Sequence, residues 1–247
     1  MTYSASVPEI SYYNDKDLIW RTCPSDAFSG NIMALYAREY LDIGKAAILY
    51  RDDKFGRGMK DVIQSKFEQY GGDIVATAGF PTENIDVYKY DYRPHIDILL
   101  AQEPQVIFMA IFEPEVGKIT RDLWSSTLYQ NYERKPYMFL TEGGFLNELK
   151  TNGQPEVIET IIGISSSITN TDNYLAFKSN YSESFGFNPV TYAEHAYDAL
   201  YSIAYAMQRG QTDQPQLIKQ HLRYVTGGTG SDPEAIKGQI VICICKI

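Results

Sequence analysis

Positive charge is scarce in this chain. Its 22 lysines and arginines are outnumbered by 31 aspartates and glutamates, for a net charge of −9. A nucleic-acid-binding face needs a basic stripe, so that class of partner is excluded. Cysteine is almost missing, with 3 in 247 residues. Cys23 stands alone and Cys243 and Cys245 sit two apart at the end, so there is no disulfide framework and no metal-ligand spacing. Their number does not settle a redox compartment. No apolar run reaches the ~18 residues that a membrane span requires. The start lacks the basic-then-apolar order of a secretory leader.

Histidine is rare too, and His95, His195 and His221 fall on separate predicted helices with no shared spacing. No nucleophile elbow accompanies them. Gly56-Arg-Gly58 lacks both the Walker spacing and the full dinucleotide fingerprint, so it does not cradle phosphate. Asp52 and Asp53 follow a strand, as the Mg²⁺-holding carboxylates of phosphotransfer folds do. They lack the basic partner that chemistry needs and read better as a solvated turn. No cofactor is implied, and an enzyme is the weakest of the functional classes.

What the chain does have is apolar content, 44%, with charged residues at only 21%, enough for real cores. It also has 20 tyrosines, whose apolar ring and polar tip suit clefts and rims. Short apolar runs recur at Ala46–Tyr50, Asp73–Thr77, Gln105–Ala110, Tyr137–Leu140 and Thr160–Ile164. Runs of this length read as buried parallel strands.

Helical stripes separate the runs. Ser25 or Asp26 can cap a helix carrying Ile32, Leu35, Tyr36 and Tyr40. Met59, Val62, Ile63 and Phe67 form a second stripe, closed by Gly71-Gly72. Ile96, Leu99 and Leu100 follow Pro94, and Val116, Ile119 and Leu123 form a further stripe. Strand–helix–strand alternation means a doubly wound α/β sheet with helices on both faces. Ligands of such sheets bind beyond the carboxyl ends of the strands, so the loops after Tyr50, Ala110 and Leu140 matter most.

The pattern changes after Ser165. Helices are expected over Asn173–Phe185, Val190–Arg209 and Gln214–Tyr224, followed by a flexible loop at Thr226–Ser231. The apolar tail from Gly238 to Ile247 has no identifiable partner strand. Upstream, the stretch from Leu18 reads as a strand running into the Asp26 helix, after a polar loop at Ser4–Ser6 and a connecting helix or turn.

Six motifs stand in one family's order: Ser4-Ala-Ser-Val-Pro-Glu9, Arg21-Thr-Cys-Pro-Ser-Asp26, Tyr50-Arg-Asp-Asp-Lys-Phe-Gly-Arg-Gly58, Phe112-Glu-Pro-Glu115, Thr141-Glu-Gly-Gly144 and Tyr192-Ala-Glu-His-Ala-Tyr-Asp-Ala199. From about Ser4 to Lys237 the chain resembles the leucine/isoleucine/valine-binding type of type I periplasmic binding protein. The resemblance implies two doubly wound parallel-sheet lobes joined by a hinge, with a ligand in the cleft between them and closure on binding. On that pattern residues 1–22 end the first lobe and cross to the second, 23–165 form the second lobe, and 166–247 return to the first. The first lobe is then incomplete at its start, and any leader would lie upstream.

The resemblance also implies site residues. The Ser4, Ala5 and Ser6 loop would hold a ligand carboxylate through hydroxyl and main-chain donors. Glu142 would face an ammonium. Phe55 and Phe112 stand where the family often has tyrosine, keeping the ring and losing the hydroxyl. Tyr192 would line the side-chain end of the pocket. Asp26 matches a cleft position but equally fits a helix cap. The implied function is solute binding for an ABC importer, with a small-molecule ligand and a membrane permease as partners, on the periplasmic or extracellular side. A ligand-sensing receptor or regulator on the same fold is the alternative.

Overall fold

The computed structural model describes residues 1–142, 147–167, 171–190, 192–226 and 241–246. The chain divides into two compact units, Met1–Ser25 with Ser167–Val241, and Asp26–Ser166 with Ile242–Ile247.

The second unit is the larger sheet. Its strands are β1 (Lys45–Arg51), β2 (Asp73–Phe80), β3 (Val106–Ala110), β4 (Tyr137–Leu140), β5 (Ile161–Ser167) and β6 (Val241–Lys246), in the order β2-β1-β3-β4-β5-β6. The pairs from β2 through β5 are all parallel. Each parallel step requires a crossover, here a helix. The crossovers are α1 (Asp26–Glu39) leading into β1, α2 (Lys54–Gln69), α3 (Arg93–Leu100), and α4 (Glu113–Ser125) with the short α5 (Thr127–Asn131). Two further short helices, α6 (Asn147–Asn152) and α7 (Pro155–Ile158), precede β5.

Alternation along the strands builds two cores. Ala46 and Ile48 of β1 face the layer made by α1 and α2, with Met33, Ile63 and Phe67. Ala47 and Leu49 face the opposite layer, with Ile96, Leu99, Val116 and Ile119. Successive Cβ atoms point to opposite faces, so one apolar run serves both layers. Every residue of β3 is buried. Phe108, in its centre, meets Phe67 edge-on at 5.6 Å and stacks on Phe139 at 5.8 Å. Burying one such side chain contributes about 1.5–3 kcal/mol.

Helix ends follow their sequence signals. Asp53 caps α2, its carboxylate accepting from the Gly56 N–H at 2.9 Å. At the other end of α2 the Gly71 N–H donates to Glu68 and the Gly72 N–H to Phe67. Gly71 has φ +79°, which a residue without a Cβ adopts freely. This is a Schellman end, as the Gly71-Gly72 pair predicts.

The first unit is helical: a tight turn at Pro8–Tyr12, then α8 (Asp172–Phe185), α9 (Ala193–Gly210) and α10 (Pro215–Val225). α9 and α10 pack on each other, burying Ala206 and Leu222. The amino-terminal segment is tied to α10 by Arg223, which pairs with Asp17 at 2.9 Å and lies over the Trp20 ring. α8 buries no residue, and Leu175, Phe185, Leu200 and Tyr201 stay exposed.

Two expectations are corrected. Leu18–Thr22 is not a strand: a single bridge pairs Thr2 with Arg21, and Leu18 and Ile19 are exposed. The carboxyl-terminal tail does have a partner, since β6 takes the sheet edge beside β5 and the last residues group with the second unit. The loop expected over 227–231 and the Gly143-Gly144 pair lie outside the described residues.

Candidate functional site

Because β1, β3 and β4 are adjacent and parallel, the loops that follow them line one edge of the sheet in that order. Phe55 comes from the first loop and the start of α2, Phe112 from the second, and Glu142 from the third. The rings of Phe55 and Phe112 stack at 4.5 Å with an interplanar angle of 22°. Both are half-buried.

Glu142 is held by what precedes it. Thr141 is buried, its N–H donating to the Met109 carbonyl at 3.2 Å and its hydroxyl to the Ile111 carbonyl at 3.3 Å. That anchors the loop to the end of β3 and brings the Glu142 carboxylate to the rim. The Ser165 hydroxyl, on β5, donates to Glu142 Oε1 at 3.3 Å. Asp26 is the first residue of α1, where a carboxylate is favoured by the helix dipole.

Charged groups surround the aromatic pair. Arg51, the last residue of β1, donates to Asp53 at 2.9 Å and to the Glu115 carboxylate, and its guanidinium lies 4.5 Å over the Phe112 ring. Glu115 is only 1% exposed, and its other oxygen accepts from the Phe112 N–H at 3.1 Å. Such a reach back to the helix start is one half of a capping box. Asp52 turns outward to Arg57, which holds its carboxyl below the usual range. Asp52 and Asp53 are thus an ion-pair partner and a helix cap. Among the described residues no group of His, Cys, Asp or Glu could hold a metal ion.

The remaining candidates belong to the first unit. Ser4 is exposed, and Ala5 and Ser6 are half-buried. The base of their loop is stapled where Thr2 donates to the Trp20 carbonyl at 2.7 Å and accepts from the Thr22 N–H at 3.1 Å. Arg21 donates to the Ser6 and Val7 carbonyls at 3.2 and 3.0 Å. The Thr22 hydroxyl reaches the His195 carbonyl at 2.9 Å, tying this stem to the first turn of α9. Tyr192 stands just before α9 in a left-handed conformation, φ 69°, its ring 5.2 Å from His195.

Phe55, Phe112 and Glu142 thus lie along one sheet edge, and sequence reasoning did not single out Arg51, Glu115 and Ser165 beside them. The Phe-Glu-Pro-Glu spacing could have pointed to Glu115 as a capping group. Nothing local marks its partner 64 positions earlier.

Comparison with known proteins gives the same fold. A leucine-binding protein, LivK, from Thermotoga maritima superposes with TM-score 0.69 at 18% identity, over 86% of this chain and 58% of that one. A solute-binding protein of an ABC transporter from R. palustris, in complex with benzoate, gives 0.64 at 13% identity, over 83% and 54%. Among curated proteins, a Leu/Ile/Val-binding protein homolog of Brucella suis is 22% identical over 204 residues, 83% of this chain. The chain spans about half the length of that relative, 52%. Its two-sided parallel sheet is the α/β fold of type I periplasmic binding proteins. The family model described as "Receptor family ligand binding region" matches residues 1–236, and the chain belongs to that family.

Proposed function

We propose that this chain provides the solute-binding part of an ABC importer and takes an amino acid of the branched-chain type, or a related small amide or carboxylate. The observation that carries the proposal is the strand-end rim, where a carboxylate on a buried anchor, Glu142, follows a stacked aromatic pair along one sheet edge. A carboxylate at that place suits an ammonium, and the rings suit an apolar side chain. Ser4, Ala5 and Ser6 would take the ligand's carboxylate, and Tyr192 would contact its side chain. Asp26 would serve mainly its helix. No bond is made or broken in this function, so it is not an enzyme's.

The partners are then the solute and a membrane permease, and the place of action is the periplasmic or extracellular side. Among the described residues no helix is long and apolar enough to cross a membrane. A carboxylate without an ammonium is the second reading. It is favoured by phenylalanine at both ring positions, which leaves no phenolic hydroxyl at the stack.

The test is a thermal melt of the chain with leucine, isoleucine, valine, benzoate and small amides at millimolar concentration. A solute at ~100 times its dissociation constant adds about 2.7 kcal/mol to the state that binds it. An upward shift with leucine supports the first reading and one with benzoate alone the second. A cooperative melt that no solute moves overturns both. Binding of the loaded chain to permease-containing vesicles separates transport from sensing.

A further inference from the structure

We infer that Arg51 is a positioning residue: it holds the Phe55–Phe112 pair and, through the pair, sets how well the rim accepts a solute. The second half rests on the proposed function, and the first does not.

Phe55 is the second residue of α2, whose start is fixed by the Asp53 cap. Phe112 is the residue before α4, and its own N–H is held by Glu115. Each ring therefore rides on a helix start secured by one carboxylate. Arg51 donates to both of those carboxylates, Asp53 and Glu115, from the end of the strand between them. Its side chain is 16% exposed, so the clamp works largely out of water. The planar guanidinium fork suits two carboxylates and a ring face at once. A lysine ammonium, a point charge on a flexible stem, does not.

The ring geometry has a consequence for recognition. Phe55 and the Arg51 guanidinium are each centred 4.5 Å from the Phe112 centroid. Both groups are at contact distance, so the Phe112 ring is already engaged by two neighbours. An ammonium approaching Phe112 would have to compete with the Arg51 guanidinium already over the ring. Cation–π attraction at Phe112 goes to Arg51 instead. Recognition of an ammonium falls to Glu142, while the pair presents a fixed apolar wall. Loosening Arg51 frees both rings, and that freedom is lost again whenever a solute binds.

The experiment uses the whole chain with ¹³C-labelled phenylalanine. Signals of Phe55 and Phe112 are assigned by Phe55→Leu and Phe112→Leu. Two variants are compared with the parent. Arg51→Lys keeps the charge without the fork. Arg51→Met combined with Glu115→Gln removes both charges and keeps an acceptor for the Phe112 N–H. In both, the Phe55 and Phe112 signals are expected to move while those of Phe67, Phe108 and Phe139 stay. Unmoved Phe55 and Phe112 signals in a variant that melts like the parent overturn the inference. If the double variant does not fold, Arg51→Lys carries the test.

A leucine titration by calorimetry reads the second half, with affinity expected to fall about tenfold in the variants. Moved rings with unchanged leucine affinity overturn that half. If the parent binds neither leucine nor benzoate, the proposed function fails, and the ring signals still decide the role of Arg51.

Discussion

The Ser165 hydroxyl donates to the Glu142 carboxylate across 3.3 Å, from one strand to the second residue beyond its neighbour. The bond orients the carboxylate at the sheet edge. Glu142→Gln keeps the shape and removes the charge. A hydrogen bond to a charged group is worth about 1.5–3 kcal/mol. Leucine affinity should therefore fall roughly 10- to 100-fold by calorimetry, with Ser165→Ala weaker by only a few-fold. An unchanged dissociation constant for the Gln variant removes Glu142 from the site.

Phe108→Ala should be among the most destabilising substitutions in the second unit. The ring is fully buried between Phe67 and Phe139 at the centre of the sheet. Phenylalanine-to-alanine changes in cores cost about 3–5 kcal/mol, combining lost transfer energy with a cavity. Urea unfolding followed by circular dichroism measures this directly, and a loss under ~1 kcal/mol would contradict the packing.

Neighbouring aspartates should behave differently. Asp53→Ala removes the α2 cap and one anchor of Arg51, and a lost cap alone costs ~1 kcal/mol. Asp52 makes an exposed pair with Arg57, which water and salt screen, so its loss should be barely felt. Denaturation midpoints of the two alanine variants should separate clearly, and equal midpoints would sink the distinction.

His95 gives the fold an acid sensitivity. Burial lowers its pKa and the nearby Asp91 charge only partly offsets this, while the Tyr90 hydroxyl sits 2.8 Å from Nε2. A histidine with a depressed folded pKa binds its proton more readily when unfolded. Stability therefore falls as pH drops below the usual histidine value of ~6.5. His95→Gln should flatten the decline in melting temperature between pH 7 and pH 5. A decline as steep as the parent's would assign the sensitivity elsewhere. Asp91, held at about 2 by Arg93, contributes only in stronger acid.

Where the chain wrote its structure locally, the sequence was legible. Tyr137–Leu140 has the same bounds in sequence and structure because a short apolar run between polar neighbours can only be buried one way. The strand expected over Asp73–Thr77 continues to Phe80. Gly79 lets it continue, since a Cβ there would meet the Tyr50 ring at 2.7 Å, a contact no local pattern reveals. Leu18–Thr22 has strand-like composition but pairs, among the described residues, only through the bridge of Arg21 to Thr2, and β6 has a neighbour far away in sequence. The candidate residues followed the same division. Phe55, Phe112 and Glu142 were visible as residues after strands. The clamp behind them was not, because charges paired over 64 positions leave no periodicity.

β3 has strands on both sides and apolar layers on both faces, so none of its five residues can loosen without the whole unit opening. In deuterated water its amides would be the last to exchange, at a rate that reports global unfolding alone. Each of its sheet neighbours also arrives through a helical crossover, so the strand cannot gain protection from a local hairpin. A single set of amide signals, from Val106 to Ala110, would therefore time both the completion of folding and its reversal.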